Sequence, residues 1–233
     1  EKYPDFPVIT FENSPHPDEV LTYADLVIKG TKLARAMEKL GLKQGERFCS
    51  VIRNHPEIIM CMFAASALGA VIVPIDPRSE EEKLIFQIQN SGAKGVVYSA
   101  EFMDPINKAL TRVPGVRSFG CLYSPEWGLS PDPDHQDLKE ILEGPEASIF
   151  DPGQQSIQDR FLLMYTSGST GNPKGIYVYY DRLQDAVIWA DRVWEYYPDD
   201  KLYTGLSLTH GNAVWLTMYP ALYRRIPAII SRK

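Results

Sequence analysis

Apolar positions recur along the chain with two periods, one helical and one strand-like. In "LTYADLVIKGTKLARAMEKLGL", Leu26, Leu33, Met37 and Leu40 share one helical face. Thr22 stands at the N-cap, Asp25 at the capping-box position and Gly41 at the stop, so the segment predicts a helix. "RFCSVIRN" predicts a short strand. Residues 58–75, "IIMCMFAASALGAVIVPI", carry no charge. Length alone would let them span a bilayer. Gly69 and Pro74 punctuate the run, which predicts a buried helix over 57–68 and a strand over 70–75 instead. "SEEEKLIFQIQNSGA" opens with a capping-box pair, Ser79 and Glu82, and carries an apolar stripe of Leu84, Ile85 and Ile88. The strand "GVVYS", a helix "AEFMDPINKAL" interrupted by Pro105, and a strand "VRSFGCLY" complete this region.

Residues 124–158 are rich in proline and glycine around one short helix, "DLKEILE", and form the expected boundary between subdomains. After them the pattern predicts strand "GIYVYY", helix "DRLQDAVIWADRVWEYY", strand "KLYTGLSL", a turn at "THGN", helix "AVWLTMYPAL" and strand "PAIIS". Apolar strands alternating with helices indicate an α/β fold: layered, mostly parallel sheets flanked by helices. Residues 1–158 are expected to form a first α/β subdomain. Residues 159–233 are expected to carry a loop hairpin and the start of a second.

Composition narrows the function. The chain has 233 residues, 44% hydrophobic and 23% charged, an ordinary globular balance. Its net charge of −6 argues against non-specific binding to a nucleic acid backbone. Cys49, Cys61 and Cys121 are odd in number and lack paired spacing, so a disulfide framework or zinc site has no support. His16, His55, His135 and His210 are dispersed. No basic-then-apolar leader opens the chain, and no transmembrane segment is expected. A reducing cytoplasm is the expected location.

The most informative stretch is 165–175, "YTSGSTGNPKG", between two strand-like runs. Thr166, Ser167, Ser169 and Thr170 supply hydroxyls, and Lys174 supplies a cation with three donors. Gly168, Gly171 and Gly175 free the backbone to turn its N–H groups inward. No acidic residue lies anywhere in 161–180. Donors, a cation and no competing anion are what a polyphosphate requires. Ordering a residue costs about 1–2 kcal/mol, and each hydrogen bond to a charged group returns about 1.5–3 kcal/mol. Several phosphate contacts therefore offset much of the cost of ordering the loop. An ordinary surface hairpin would need neither the length nor the fixed order of this segment. A Walker A loop is excluded: Pro173 stands where glycine should, Gly175 replaces Ser/Thr, and a β-like segment follows where a helix is required. No G-x-G-x-x-G run is present either.

"YTSGSTGNPKG" resembles the phosphate-binding signature of the adenylate-forming superfamily, which includes acyl-CoA synthetases, luciferases and the adenylation domains of peptide synthetases. "LTYADL" resembles an early helix-start motif of that family. Residues 41–94 share the spacing of its first α/β layer, and "SLTHGNAVWLTMYPAL" resembles its acyl-pocket segment. The resemblance implies the N-terminal portion of the adenylate-forming fold and a two-step ligase. A carboxylate attacks the α-phosphate of ATP, magnesium pyrophosphate leaves, and coenzyme A displaces AMP from the acyl-adenylate. It implies a phosphate-binding role for Thr166, Ser167, Gly168, Ser169, Thr170, Gly171, Lys174 and Gly175, with Thr170 also near Mg2+. His210, Gly211, Asn212 and Trp215 are expected beside the small carboxylic acid, with Met218 a further candidate. A histidine next to Gly-Asn is also a common hydrogen-bonded turn residue, and Trp215 and Met218 equally suit plain core packing. Tyr179, Tyr180, Trp189 and Trp194 are read as core or surface aromatics.

Departures from the family pattern bear on specificity. Tyr179-Tyr180 stand where relatives commonly carry Thr/Ser-His, and Ser207 where proline is usual. "HGNA" in place of the commoner "HxxG" leans towards ligases for carnitine-like, cyclic or aryl acids. Family members are about twice this length, and the adenylation lysine belongs to a C-terminal lid that this sequence lacks. The expectation is a fragment of a longer acid–thiol ligase of fatty acid or related metabolism, with no catalytic residue of its own. The alternatives are a non-catalytic nucleotide- or acyl-binding module, or a luciferase-like adenylating oxygenase.

Overall fold

The computed structural model describes residues 3–124, 127–132, 134–149, 155–166 and 172–232. Two sheets share one helical layer. The six-stranded sheet has the order β6-β5-β3-β4-β7-β8, built from β3 (Arg47–Val51), β4 (Val71–Pro74), β5 (Gly95–Ser99), β6 (Arg117–Leu122), β7 (Arg160–Thr166) and β8 (Lys174–Tyr179). All neighbours are parallel except β7 and β8, which form an antiparallel hairpin at the edge. The four-stranded sheet has the order β2-β1-β10-β9, from β1 (Pro7–Glu12), β2 (Glu19–Thr22), β9 (Leu202–Thr204) and β10 (Ala228–Ser231). Here β1, β10 and β9 run parallel and β2 antiparallel. The small sheet joins strands from both ends of the chain.

The helices between the sheets follow from their sequences. Helix α1 (Tyr23–Lys39) starts on the predicted capping box: Thr22 Oγ1 accepts from Asp25 N at 3.1 Å and Asp25 Oδ2 accepts from Thr22 N at 2.9 Å. Helix α2 (Pro56–Leu68) is apolar on every side and buried on nearly every side, and ends on Gly69 with φ +66°. It then passes into β4, as the punctuation predicted. One core cluster draws Val8 and Phe11 from the small sheet, Phe48 and Phe119 from the large one, and Ile58, Ile59 and Met62 from α2 between them. A second cluster lies on the other face of the large sheet under α3 (Glu81–Ser91) and α4 (Met103–Arg112), while α5 (Leu138–Glu143) adds Leu138 and Leu142 to the first. Cys49, Cys61 and Cys121 are buried free thiols. Burial pushes Cys49 up to about 12 and Cys121 up to about 11, so neither forms thiolate readily. No helix among the described residues is long and apolar enough to cross a membrane.

Several local expectations need correction. Ser79 does not cap α3; Glu80 is the N-cap and makes no side-chain cap bond. The Ser79 N–H instead closes a turn on Asp76 O at 2.9 Å, which takes it out of the capping position. The strand predicted over 201–208 ends at Thr204. The Thr204 hydroxyl accepts from Leu206 N at 3.1 Å, turning the chain out of the sheet. The strands β1 and β2 were not anticipated at all.

The helix predicted over 213–222 runs over 211–224 and contains a π-turn, Val214–Met218, between α7 (Gly211–Ala213) and α8 (Tyr219–Arg224). Pro220 has no N–H to give to the Leu216 carbonyl. That carbonyl accepts from the Tyr196 hydroxyl instead, at 3.0 Å. A side chain from the end of α6 (Tyr180–Trp194) and beyond thus compensates for the backbone bond that proline removes.

Candidate functional site

The β7–β8 hairpin holds the glycine-and-hydroxyl segment at the carboxyl end of a strand parallel to β3 and β4. Thr166 is the last residue of β7, Lys174 the first of β8, and the two face each other across the ladder. Thr166 Oγ1 donates to Lys174 O at 3.4 Å. Lys174 is exposed, and its ammonium makes no hydrogen bond or ion pair among the described residues. Ser167, Gly168, Ser169, Thr170 and Gly171 lie outside the described residues, and with them the expected Mg2+ position at Thr170.

The frame of the hairpin is well anchored. The Tyr165 hydroxyl donates to Asn90 Oδ1 at 2.8 Å on α3, and the Arg160 guanidinium lies 4.3 Å from the Tyr177 ring centroid. Gly175 pairs with Tyr165 inside the ladder, not in the turn. A Cβ there would stand 3.0 Å from Leu163 Cδ1 and 3.4 Å from the Tyr165 ring, so glycine serves close packing at this position.

The carboxyl ends of the two sheets meet at Asn54, just past β3. Its side chain donates to Leu206 O at 2.9 Å and to Ser231 O at 2.8 Å, and accepts from Leu208 N at 2.8 Å. These partners follow β9 or end β10. One buried amide thus fixes the segment that leads to His210. Beside it, Arg53, Asp76, Arg78, Ser207 and Arg232 line a polar crevice of about 70 Å³. Arg78 binds Asp76 through Nε at 3.0 Å and Nη2 at 2.8 Å. That guanidinium, by its hydrogen bonds and charge, holds the Asp76 carboxyl below its ordinary range, with a smaller contribution from His210. Ligands of open α/β sheets bind outside the carboxyl ends of the strands. Thr166, Lys174 and His210 all lie on that side of their respective sheets.

His210 is exposed at the start of α7, and its N–H closes a turn on Ser207 O at 2.9 Å. Gly211 and Trp215 come together: a Cβ on Gly211 would meet Trp215 Nε1 at 2.7 Å, so the indole lies over the glycine. Trp215 also stacks on Tyr219, with ring centroids 6.1 Å apart and 14° between planes. Asn212 is exposed and Met218 is buried. No hydrogen bond or ring contact joins the hairpin to residues 210–215 among the described residues.

Sequence reasoning missed Asn54 and the Asp76–Arg78 pair. Their signal was positional: Asn54 ends one predicted parallel strand, and Asp76 and Arg78 follow another. It also missed the buried His55–Glu57 pair, in which His55 Nδ1 bonds Glu57 Oε2. Burial raises the Glu57 carboxyl. The charge and hydrogen bond of His55, with the charge of Arg232, outweigh that effect and hold it below its ordinary value.

A family model for AMP-binding enzymes matches residues 1–233. The chain belongs to that family. It is 34% identical over 177 residues to 4-coumarate–CoA ligase 1 of Oryza sativa subsp. japonica, covering 72% of this chain and 30% of the ligase. The structure of the anthranilate CoA ligase AuaEII in complex with anthranoyl-AMP superposes with a TM-score of 0.86 at 17% identity, covering 98% of this chain and 42% of that one. ATP-bound MatB from Rhodopseudomonas palustris superposes with a TM-score of 0.77 at 23% identity, covering 97% and 42%. The structural likeness establishes the fold as that of the N-terminal domain of adenylate-forming enzymes. The chain spans 28–40% of the length of the CoA ligases it matches among curated relatives.

Proposed function

We propose that this chain is the nucleotide-gripping part of an ATP-dependent carboxylate–CoA ligase that forms an acyl-adenylate and passes the acyl group to coenzyme A. The observation that carries the reading is the hairpin. It sets the Thr166 hydroxyl and the exposed Lys174 side chain on facing strands at the carboxyl end of a parallel sheet. No carboxylate occurs in 161–180 to compete with a triphosphate. That donor set fits ATP. Thr166 and Lys174, with Ser167, Ser169, Thr170 and the N–H groups of Gly168 and Gly171, would hold the β- and γ-phosphates. Bound Mg2+, near Thr170, would neutralise charge on those oxygens. Chemistry at phosphorus depends mainly on positioning and charge neutralisation, which is what these side chains supply.

The acid is proposed to lie beside His210, Gly211, Asn212 and Trp215. Relatives are named for 4-coumarate, for long-chain fatty acids and for crotonobetaine or carnitine, so the panel of acids spans all three classes. The buried thiols are compatible with a reducing cytoplasm as the place of work. The test is carboxylate-dependent ATP–pyrophosphate exchange by a protein carrying this chain, across a panel of aryl, cyclic and aliphatic acids. Lys174→Ala should lower exchange about 10- to 100-fold, the loss of one hydrogen bond to a charged group. Absence of exchange with every acid would refute the ligase reading.

A further inference from the structure

A second cavity lies away from the crevice at the strand ends. It has a volume of about 360 Å³ and opens between α2, α6 and α8. Ile59 and Met62 form one wall, Leu183 and Val187 the second, Met218 and Tyr219 the third. Phe161 and Tyr180 close one end, with ring centroids 5.0 Å apart. No charged side chain among the described residues lines it. An engineered apolar cavity of about 150 Å³ takes benzene. This one is more than twice as large, within the range of small-molecule sites.

One polar group in the cavity, the buried Tyr180 hydroxyl, has Ser66 as a neighbour but no well-formed bond to it, and makes no hydrogen bond of normal geometry among the described residues. Leaving a buried hydroxyl without a partner costs free energy that a ligand group would recover. We propose that this cavity binds an uncharged, mainly apolar small molecule, the size of a two-ring aromatic, that bears one hydrogen-bonding group placed against Tyr180. A carboxylate is a poor occupant, because no cation lines the cavity to offset its desolvation. Of the residues expected beside the acid the cavity shares Met218 alone, and the proposal does not rest on the adenylation reading. Its occupant would touch the π-turn through Met218 and so bear on the helix that begins next to His210.

The experiment compares 2-naphthol, 2-methylnaphthalene and 2-naphthoate by isothermal titration, without ATP. The first two match in shape and differ in the hydroxyl. The wild-type chain should bind 2-naphthol about 2- to 10-fold more tightly than 2-methylnaphthalene, the worth of one net hydrogen bond. It should bind 2-naphthoate more weakly than 2-naphthol. Tyr180→Phe keeps the ring packed on Phe161, and should lose the preference for the hydroxyl while still binding 2-methylnaphthalene. Val187→Phe should fill the cavity and weaken both neutral probes. A hydroxyl preference that survives Tyr180→Phe overturns the proposal. So does the failure of both neutral probes to bind the wild type, or tighter binding of the carboxylate. Unchanged binding in a folded Val187→Phe protein would place the probes elsewhere and overturn it too.

Discussion

Glu57 shows how burial and pairing compete at a single carboxyl. Its side chain is 8% exposed and that of His55 is 6% exposed, so both sit in low dielectric. The net effect holds the Glu57 carboxyl below its ordinary value of 4.5 in the folded chain. A carboxyl with a depressed folded value stabilises the protein above its unfolded value, and that stabilisation is lost as pH falls through the folded one. Glu57→Gln should therefore cost about 3 kcal/mol near neutral pH, the typical penalty for breaking a buried pair. The gap between wild type and variant should narrow as pH falls below 4.5. Urea denaturation at several pH values would check both the size and the slope. A gap that widens on acidification would contradict the pairing.

Helix α1 sets two elementary effects against each other at Gly30. Glycine inside a helix costs about 1 kcal/mol relative to alanine, so propensity alone favours Gly30→Ala. The Cβ would stand 2.6 Å from Phe63 Cβ on α2, and neither atom is the tip of a flexible chain. Overpacking a tight contact costs about 1–3 kcal/mol. Packing wins at a contact this close, and Gly30→Ala should lower stability by up to about 2 kcal/mol net, measured as a fall in the urea midpoint at unchanged slope. The sequence reading of α1 was sound because its capping box and stripe are local. The same holds for α2, whose boundary is written in Gly69. It failed for β1 and β2, where proline and charge at 1–20 mask two short strands, β1 pairing with β10 at the far end of the chain and β2 with β1. It failed for Ser79 because a turn took the capping residue. The bond from Tyr196 to the Leu216 carbonyl, which compensates for the N–H that Pro220 lacks, spans 20 positions, and no local pattern reveals it. At the candidate site, Thr166 and Lys174 could be read from composition alone. Asn54 could not, because its partners are 152, 154 and 177 positions away.

That separation makes Asn54 the residue through which the whole molecule is tested. The two sheets already share a core, so hydrophobic packing holds them together without it. Packing between layers is largely non-directional, whereas the three bonds of Asn54 fix the carboxyl ends of β9 and β10 relative to that of β3. Removing the amide deletes three hydrogen bonds, to Leu206 O, Ser231 O and Leu208 N, in a largely buried place. Each hydrogen bond is worth about 0.5–1.5 kcal/mol net. Asn54→Ala should cost about 2–4 kcal/mol in total, and the loss should be uneven. Amide exchange should accelerate in β9, β10 and the 205–210 segment, while β3 and β5 in the middle of the large sheet keep their protection. Uniform acceleration across both sheets would mean that Asn54 supports the core generally and does not set the geometry of the strand ends. Asn54→Asp is the sharper comparison, since it keeps the acceptor for Leu208 N and loses both donors. If it behaves like alanine at β10 but like wild type at Leu208, the two halves of the clamp act separately. His210 then owes its position to the acceptor half alone.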